Sequence, residues 1–336
     1  MKQWQIPAFG IDSLTLFEKE PGQPGPGQVQ VKVHAISLNY RDLMVVQGRY
    51  NPKLAMPRVP CSDGAGEVLA VGAGVTQWKP GDRVAGIFMQ NWQDGPLTAS
   101  KAKGALGGDI DGMLATEVVL SQHGLVQIPE HLSYEEAAAL PCAAVTAWNA
   151  LFKAAKTQPG DTILIQGTGG VSIFALQFAK LAGARVLGIS SSDEKLERAK
   201  TLGLDEGLNY RTSPDWEKWA LEQTGGAGVD MVVEVGGAGT LPRAIKAVRP
   251  EGVVAQIGVL SGAAETVDVR PILARQVCIQ GVYVGSKTDF VAMNQAISQS
   301  QLKPVIDRVF PFVDAQAALR HMESAAHFGK IVISAS

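Results

Sequence analysis

"LIQGTGGVSIFALQFAK" (Leu164 to Lys180) is the stretch whose reading decides the architecture. It opens on the end of an apolar strand, "DTILIQG", and runs into "VSIFALQFAKLAG" (Val171 to Gly183), whose apolar residues have helical spacing and which ends at a glycine. The turn between them reads Gly167-x-Gly169-Gly170-x-Ser172. Glycines in such a turn let the backbone approach a pyrophosphate, and the helix start offers unpaired N–H groups and a positive dipole. Ser172 stands where a third glycine is usual, and is small enough to keep the helix near the strand. The strand–turn–helix context is the one the motif requires. Gly167, Gly169, Gly170 and Val171 are therefore dinucleotide-contact candidates, with a purely structural turn as the alternative.

Working outward, strands and helices alternate. "RVLGIS" is a strand, "DEKLERAKTLG" a helix and "EGLNY" a short strand. "PDWEKWALEQTG" is a helix, "VDMVVEVGG" a strand and "TLPRAIKAVRPEG" a helix, and "VVAQIGV" and "CIQGVYVG" are strands. Six strands crossed by helices predict an α/β fold with a mostly parallel, doubly wound sheet. The second strand ends at Ser190, followed by Ser191 and Ser192. An NAD site usually places an acid there to hold the ribose 2′-hydroxyl, whereas a carboxylate would repel a 2′-phosphate. Lys195, one turn into the next helix, is placed to pair with such a phosphate; its ordinary reading is a solvated charge. Asp193 reads as a first-turn acid favoured by the helix dipole. NADPH is the cofactor expected.

Up to about residue 124 the chain is β-rich. Val29, Val31, Val33 and Ala35 alternate with Gln30, Lys32 and His34, the pattern of a half-buried strand. Turn clusters such as "PGQPGPGQ" and "KPGD" punctuate further short strands. The period changes near "SYEEAAALP", where Ser133 and Glu136 form a capping-box signature. After Gly285 two helical patterns and a last strand, "GKIVIS", form a tail able to return to the first domain. The expected division is 1–124, 125–285 and 286–336.

The whole chain has 336 residues, beyond the roughly 250–300 at which one core stops growing, which agrees with two domains. With 30 basic and 32 acidic residues it lacks the electrostatic footprint of a nucleic-acid binder. The longest uncharged run, Ala137 to Phe152, falls short of the roughly 20 apolar residues of a membrane span. The first residues lack the apolar core of a secretory signal. Cys61, Cys142 and Cys278 lie far apart and suit a reducing compartment. The expectation is a cytoplasmic protein with no nucleic-acid or membrane partner.

"PCSDGAG" sets Cys61, Ser62 and Asp63 side by side. A nucleophile needs an adjacent base, usually histidine, and none is present here. With its β-rich first half, Gly-rich turn and returning tail, the chain resembles the medium-chain dehydrogenase/reductase superfamily. It looks like the zinc-independent, quinone oxidoreductase-like branch. The likeness runs nearly end to end and rests on "AISLNYRDLMVVQGRY", "SDGAGEVLAVGAGV", "KPGDRV", "LPCAAVTAW", "QGTGGVS", "LNYRT" and "GKIVI". It implies a GroES-like catalytic domain built from both chain ends, beside a Rossmann domain. Zinc alcohol dehydrogenases of this superfamily carry a cysteine ligand where Asn39 stands, Gly-His-Glu where Cys61-Ser62-Asp63 stands, and a third ligand at Cys142. Two of three ligands are missing, and catalytic zinc generally needs three; no metal site is expected.

The same resemblance assigns Asn39 and Thr146 to the nicotinamide end of the cofactor. Tyr210 and Lys195 fall to its 2′-phosphate, backbone around Gly258 and Val284 to the nicotinamide pocket, and Lys330 to the pyrophosphate. Ser62 lines the pocket. Tyr50 matches a proposed proton donor of enoyl-thioester reductases, with a packing aromatic as the alternative. Without a Lewis acid, acceptors with built-in electron demand fit best, namely quinones and α,β-unsaturated carbonyls. An enoyl-thioester reductase, a zinc-type alcohol dehydrogenase relative and a non-catalytic NADPH-binding protein are the competing readings. The insert Gln90–Gly112 is expected to be a mobile flap, with Trp92 capping the pocket. The terminal strand from Cys278 leaves a sheet edge that invites a second copy, and the resemblance implies a homodimer.

Overall fold

The computed structural model describes residues 1–264 and 266–335. The chain divides into two compact units: Met1–Val145 with Gly285–Ser336, and Thr146–Val284.

In the second unit, six strands among the described residues form one sheet in the order Glu206–Asn209, Arg185–Ser190, Thr162–Gln166, Val229–Glu234, Val248–Gln256, Cys278–Gly281. Every neighbouring pair is parallel. Numbered along the chain, that is 3-2-1-4-5-6, the doubly wound Rossmann order. The order reverses between Thr162–Gln166 and Val229–Glu234, so the carboxyl ends of these strands mark the crevice where such sheets take ligands. Ile163, Leu164, Ile165, Val232 and Val233 are buried, as continuous apolar runs are when helices cover both faces of a sheet. The helices Gly170–Leu181, Asp193–Thr201, Trp216–Gln223 and Leu241–Ala247 supply the crossovers.

One expected helix ends early. "TLPRAIKAVRPEG" is helical only over Leu241–Ala247, because Val248 already pairs with Val229. Pro250 disfavours a helical residue before it and lacks the N–H a helix would need.

The first unit holds the expected β-rich domain. Gln28–Ser37 pairs antiparallel with Asp63–Val71, with Glu117–Ser121 and with the chain's last strand, Lys330–Ser334. Val29, Val31, Val33 and Ala35 are buried, as their alternation predicts. The unit extends past residue 124, since Leu125–Gln127 pairs with Arg83–Gly86. The helix capped by Ser133 and Glu136, Tyr134–Ala138, also lies in it. The change of period near residue 133 therefore precedes the boundary: a helix in a β-rich unit carries the same local signature as one in an α/β unit.

The insert Gln90–Gly112 is fastened, which argues against a flap hinged along its whole length. Lys287 and Thr288 donate their N–H groups to the carbonyls of Trp92 and Gln93. A Cβ on Gly107 or Gly112 would meet backbone of Cys61 at 2.7 or 2.1 Å. Trp92 is buried, and its indole N–H donates to Gly95 O at 2.9 Å, so it packs within the insert.

Candidate active site

Four charged side chains are buried together in the first unit. Helix Tyr40–Val46 starts after Asn39, and the Asp42 carboxylate reaches back to accept from Asn39 N at 2.8 Å and from Ser62 N at 3.2 Å. Arg41 donates to Asp42 Oδ1 at 3.2 Å and to Leu106 O at 2.7 Å. Asp63 Oδ1 accepts from Ser62 Oγ at 2.7 Å, and its Oδ2 accepts from Cys142 N at 3.0 Å. Lys330, 3% exposed, donates from Nζ to Leu38 O and to Asn39 Oδ1, each at 2.6 Å. Asn39 Nδ2 in turn donates to Ser62 Oγ at 3.4 Å. Two cations balance two carboxylates, which is what burial of charge requires.

Burial pushes the Asp63 carboxyl above the usual range, and the Lys330 ammonium opposes that rise. Burial, with the Asp63 charge second, also pushes the Cys142 thiol up, so it stays protonated. Burial and the Asp42 charge do the same to Cys61. Neither sulfur has the lowered pKa of an activated thiol nucleophile. Cys61 itself sits at φ 71° between Gly107 and Gly112, a left-handed conformation uncommon outside glycine.

Two candidate residues gain defined partners here. Ser62 is fully buried with its hydroxyl proton committed to Asp63, which makes it a link in the network. Lys330, expected at the pyrophosphate, spends two donors on Leu38 and Asn39. Asp42 and Asp63 carry structural weight that the sequence reading did not assign. Asp42, three residues after Asn39 at a helix start, is a pattern that would have pointed to it. Tyr50 is partly exposed, and the Arg41 guanidinium lies over its ring, 5.0 Å from the centroid; Phe88 is equally close to the same guanidinium.

A zinc ion does not fit these side chains. The Asn39 amide, whose oxygen is taken by an ammonium, and the Ser62 hydroxyl, bound to a carboxylate, are not the imidazole or thiolate ligands that zinc takes, which leaves Cys142 as the one thiol of the three positions. Among the described residues, no group of three His, Cys, Asp or Glu side chains is arranged to hold a metal ion.

The second unit presents the dinucleotide turn. Gly167, at φ 70°, takes a left-handed conformation that favours glycine, and an added Cβ on Gly167 or Gly169 would meet nothing within 4 Å. The turn is thus open above the start of the twelve-residue helix Gly170–Leu181, whose first N–H groups no side chain caps. Ser172 Oγ donates to Gln166 O at 2.6 Å and ties that helix to the strand, the close packing that the third glycine of the motif serves. Val171 lies in the first turn of the same helix. These residues fit a dinucleotide pyrophosphate.

At the adjoining strand ends, Asn209 pairs with Ser190, and Tyr210 N donates to Ser190 O at 3.0 Å. Ser190 and Tyr210 are thereby brought together, and Ser191 follows directly. Ser192 Oγ caps the next helix by accepting from Lys195 N at 3.3 Å. Asp193 Oδ1 accepts from Asn209 Nδ2 at 3.0 Å, so this acid is held by a neighbouring strand end.

Thr146 is buried in helix Val145–Trp148. Val284 has φ 56°, an outlier for a β-branched residue, and its carbonyl accepts from Asn149 Nδ2 at 2.6 Å. Gly258 is obligatory, since a Cβ would sit 1.9 Å from Val235 O. The sequence reading passed over Glu234, which organises these loops. Its buried carboxylate accepts from Gln166 Nε2 at 2.5 Å, from Gly236 N and Gly237 N at 2.8 Å, and from Thr240 Oγ1 at 2.6 Å. An acid closing the apolar strand "VDMVVE" was the available signal.

Comparisons with known proteins agree with the folds of the two units. Residues 25–130 match the alcohol dehydrogenase GroES-like domain, and residues 170–299 match the zinc-binding dehydrogenase family. A zinc-type alcohol dehydrogenase-like protein of Schizosaccharomyces pombe is 45% identical, covering 96% of each chain. The chain belongs to the medium-chain dehydrogenase/reductase superfamily. Quinone oxidoreductase-like protein 2 of Bos taurus is 28% identical over 96% of this chain and 89% of its own. The crystal structure of an NAD-dependent alcohol dehydrogenase superposes with a TM-score of 0.91 at 36% identity, covering 99% of both chains. The protein is accordingly an oxidoreductase of this superfamily, and solved structures similar to it include the NAD-dependent alcohol dehydrogenase above and a 2-octenoyl-CoA carboxylase reductase in complex with NADP, 27% identical with a TM-score of 0.86.

Proposed function

We propose that the protein is an NADPH-dependent, metal-free oxidoreductase acting on a quinone or an α,β-unsaturated carbonyl compound. The observation that carries this reading is the Lys330 ammonium bonded to Asn39 Oδ1 amid Asp63, Ser62 and Cys142, where zinc-dependent relatives place metal ligands. A buried ammonium already holds the Asn39 oxygen, which a metal ion would have to displace.

The open turn at Gly167 and Gly169 receives the pyrophosphate. Ser190, with no carboxylate at the strand end, accepts a 2′-phosphate, and Tyr210 and Lys195 flank it. When bound, the dihydronicotinamide supplies the hydride, which fits acceptors that need no Lewis acid. Asn39 orients the reacting groups. Tyr50, partly exposed and lying against Arg41, is the candidate proton donor that completes reduction of an enone. A homodimer forms through the exposed strand Cys278–Gly281 and its neighbours Val269 and Leu273, the latter 83% exposed. Three free cysteines suit the cytoplasm, and no helix among the described residues is long and apolar enough to cross a membrane.

An absorbance panel tests the reading. NADPH and NADH are each offered with quinones, enones, enoyl thioesters and simple aldehydes, with and without a chelator. Chelator-insensitive oxidation of NADPH by quinones or enones is expected. Chelator-sensitive aldehyde reduction, or a clear NADH preference, overturns it. NADPH binding with no turnover on any acceptor would leave a binding protein in its place.

A further inference from the structure

We propose that Lys330 is a positioning residue, which fixes the orientation of the Asn39 amide and supplies the positive charge that Asp63 requires. This role rests on the reading of Asn39 as part of the reactive site.

The argument starts from donors and acceptors. A lysine ammonium only donates, so the atom facing it at 2.6 Å must be the Asn39 oxygen. The amide nitrogen must then face Ser62 Oγ. Ser62 accepts from Asn39 Nδ2 and gives its own proton at 2.7 Å to the Asp63 carboxylate, which only accepts. The bonds Lys330→Asn39→Ser62→Asp63 thus run in one direction, and the first donor sets the sense of the rest. Leu38 O holds the ammonium from its other side at 2.6 Å. Without the ammonium, the nearly isosteric ends of the Asn39 amide keep only the Asp63 side of the network to tell them apart. Asp63, fully buried and joined to Lys330 through Ser62 and Asn39, also loses a cation that offsets its charge. The alternative placement, on the cofactor's pyrophosphate, leaves only the third donor of the ammonium for that contact.

The test uses the full-length protein and the variants K330M, K330R, N39A, D63N and the pairs K330M/N39A and K330M/D63N. NADPH affinity is read by fluorescence titration, turnover with the best acceptor of the panel, and stability by thermal melting. For K330M the expected result is an NADPH Kd within twofold of wild type and a kcat at least tenfold lower. K330R is expected to recover part of that kcat. K330M/N39A should be no slower than N39A, since both changes disable one unit. K330M should melt below wild type, and adding D63N should restore part of the loss by removing the uncompensated carboxylate. A tenfold rise in NADPH Kd with kcat unchanged would overturn the proposal in favour of a pyrophosphate ligand. Multiplicative effects of K330M and N39A, or no rescue by D63N, would also overturn it. If K330M fails to fold, K330M/D63N carries the affinity measurement. Should the wild type reduce no quinone or enone, the proposed function fails, while the affinity and melting arms still decide the role of Lys330.

Discussion

Gly169→Ala separates folding from cofactor binding at the dinucleotide turn. Gly169 has φ −78° and ψ −177°, extended backbone that alanine adopts freely, and its added Cβ meets nothing within 4 Å. In the free protein two small effects oppose each other. Alanine restricts the unfolded chain, which stabilises by about 0.4–1 kcal/mol. Alanine is also a poorer N-cap than glycine, a loss of similar size. The melting temperature should therefore move by no more than a few degrees. The methyl group, however, fills the space through which a pyrophosphate approaches the N–H groups of Gly170–Leu181. Losing one hydrogen bond to a charged acceptor costs about 1.5–3 kcal/mol. At 1.4 kcal/mol per decade, that is roughly a 10- to 150-fold rise in Kd. Fluorescence titration with NADPH and a melt of the same preparation read both quantities. An unchanged Kd would refute the placement of the pyrophosphate at this turn, and a collapse of the free protein would refute the claim that the space is open.

Gly258→Ala should behave in the opposite way: its Cβ would lie 1.9 Å from Val235 O, so backbone must move, and a denaturant midpoint should report a loss of about 3 kcal/mol. Ser190→Asp places a carboxylate at the end of the second strand and should weaken NADPH binding at least tenfold while NADH binding holds or improves, read by paired titrations. Asp307→Asn tests a pH dependence. Burial pushes the Asp307 carboxyl up, but hydrogen bonds from His321 and from Phe328 N outweigh it and leave its pKa lowered. A depressed carboxyl pKa contributes stability that is present above about pH 4 and is lost as pH falls through the folded value. The variant should therefore be less stable than wild type by about 1 kcal/mol at pH 7, with the gap closing below pH 4 in parallel denaturant titrations.

Much of the architecture was legible in the chain because its causes are local. A strand buried on both faces must be apolar throughout, a surface helix must repeat its apolar positions every three or four residues, and a turn that opens onto a phosphate must lack Cβ atoms. "DTILIQGTGGVSIFALQFAK" obeys all three rules, and the structure places Thr162–Gln166, the open turn and Gly170–Leu181 there. Element ends were less legible: the continuation of "AIKAVRPEG" as helix failed at Val248, where pairing with Val229 overrides local preference. Ser190 was legible as the end of a strand, and that position alone raises the question of which ribose it meets.

What only the tertiary structure decided is who meets whom across long loops. Lys330 and Asn39 are 291 residues apart, and Cys142 and Asp63 are 79 apart. No period or spacing encodes such pairs; they exist because Lys330–Ser334 returns to pair beside Gln28–Ser37 and brings the lysine to the start of helix Tyr40–Val46. The residue types at Asn39 and Ser62 were enough to raise the absence of metal ligands. Only the fold shows that an ammonium stands among them, that Ser62 is buried in the same network and that Glu234 gathers the loops beyond the sheet. A side chain's type is written in the sequence, but a buried charge is defined by the partners that neutralise it, and the three-dimensional path of the chain supplies those partners.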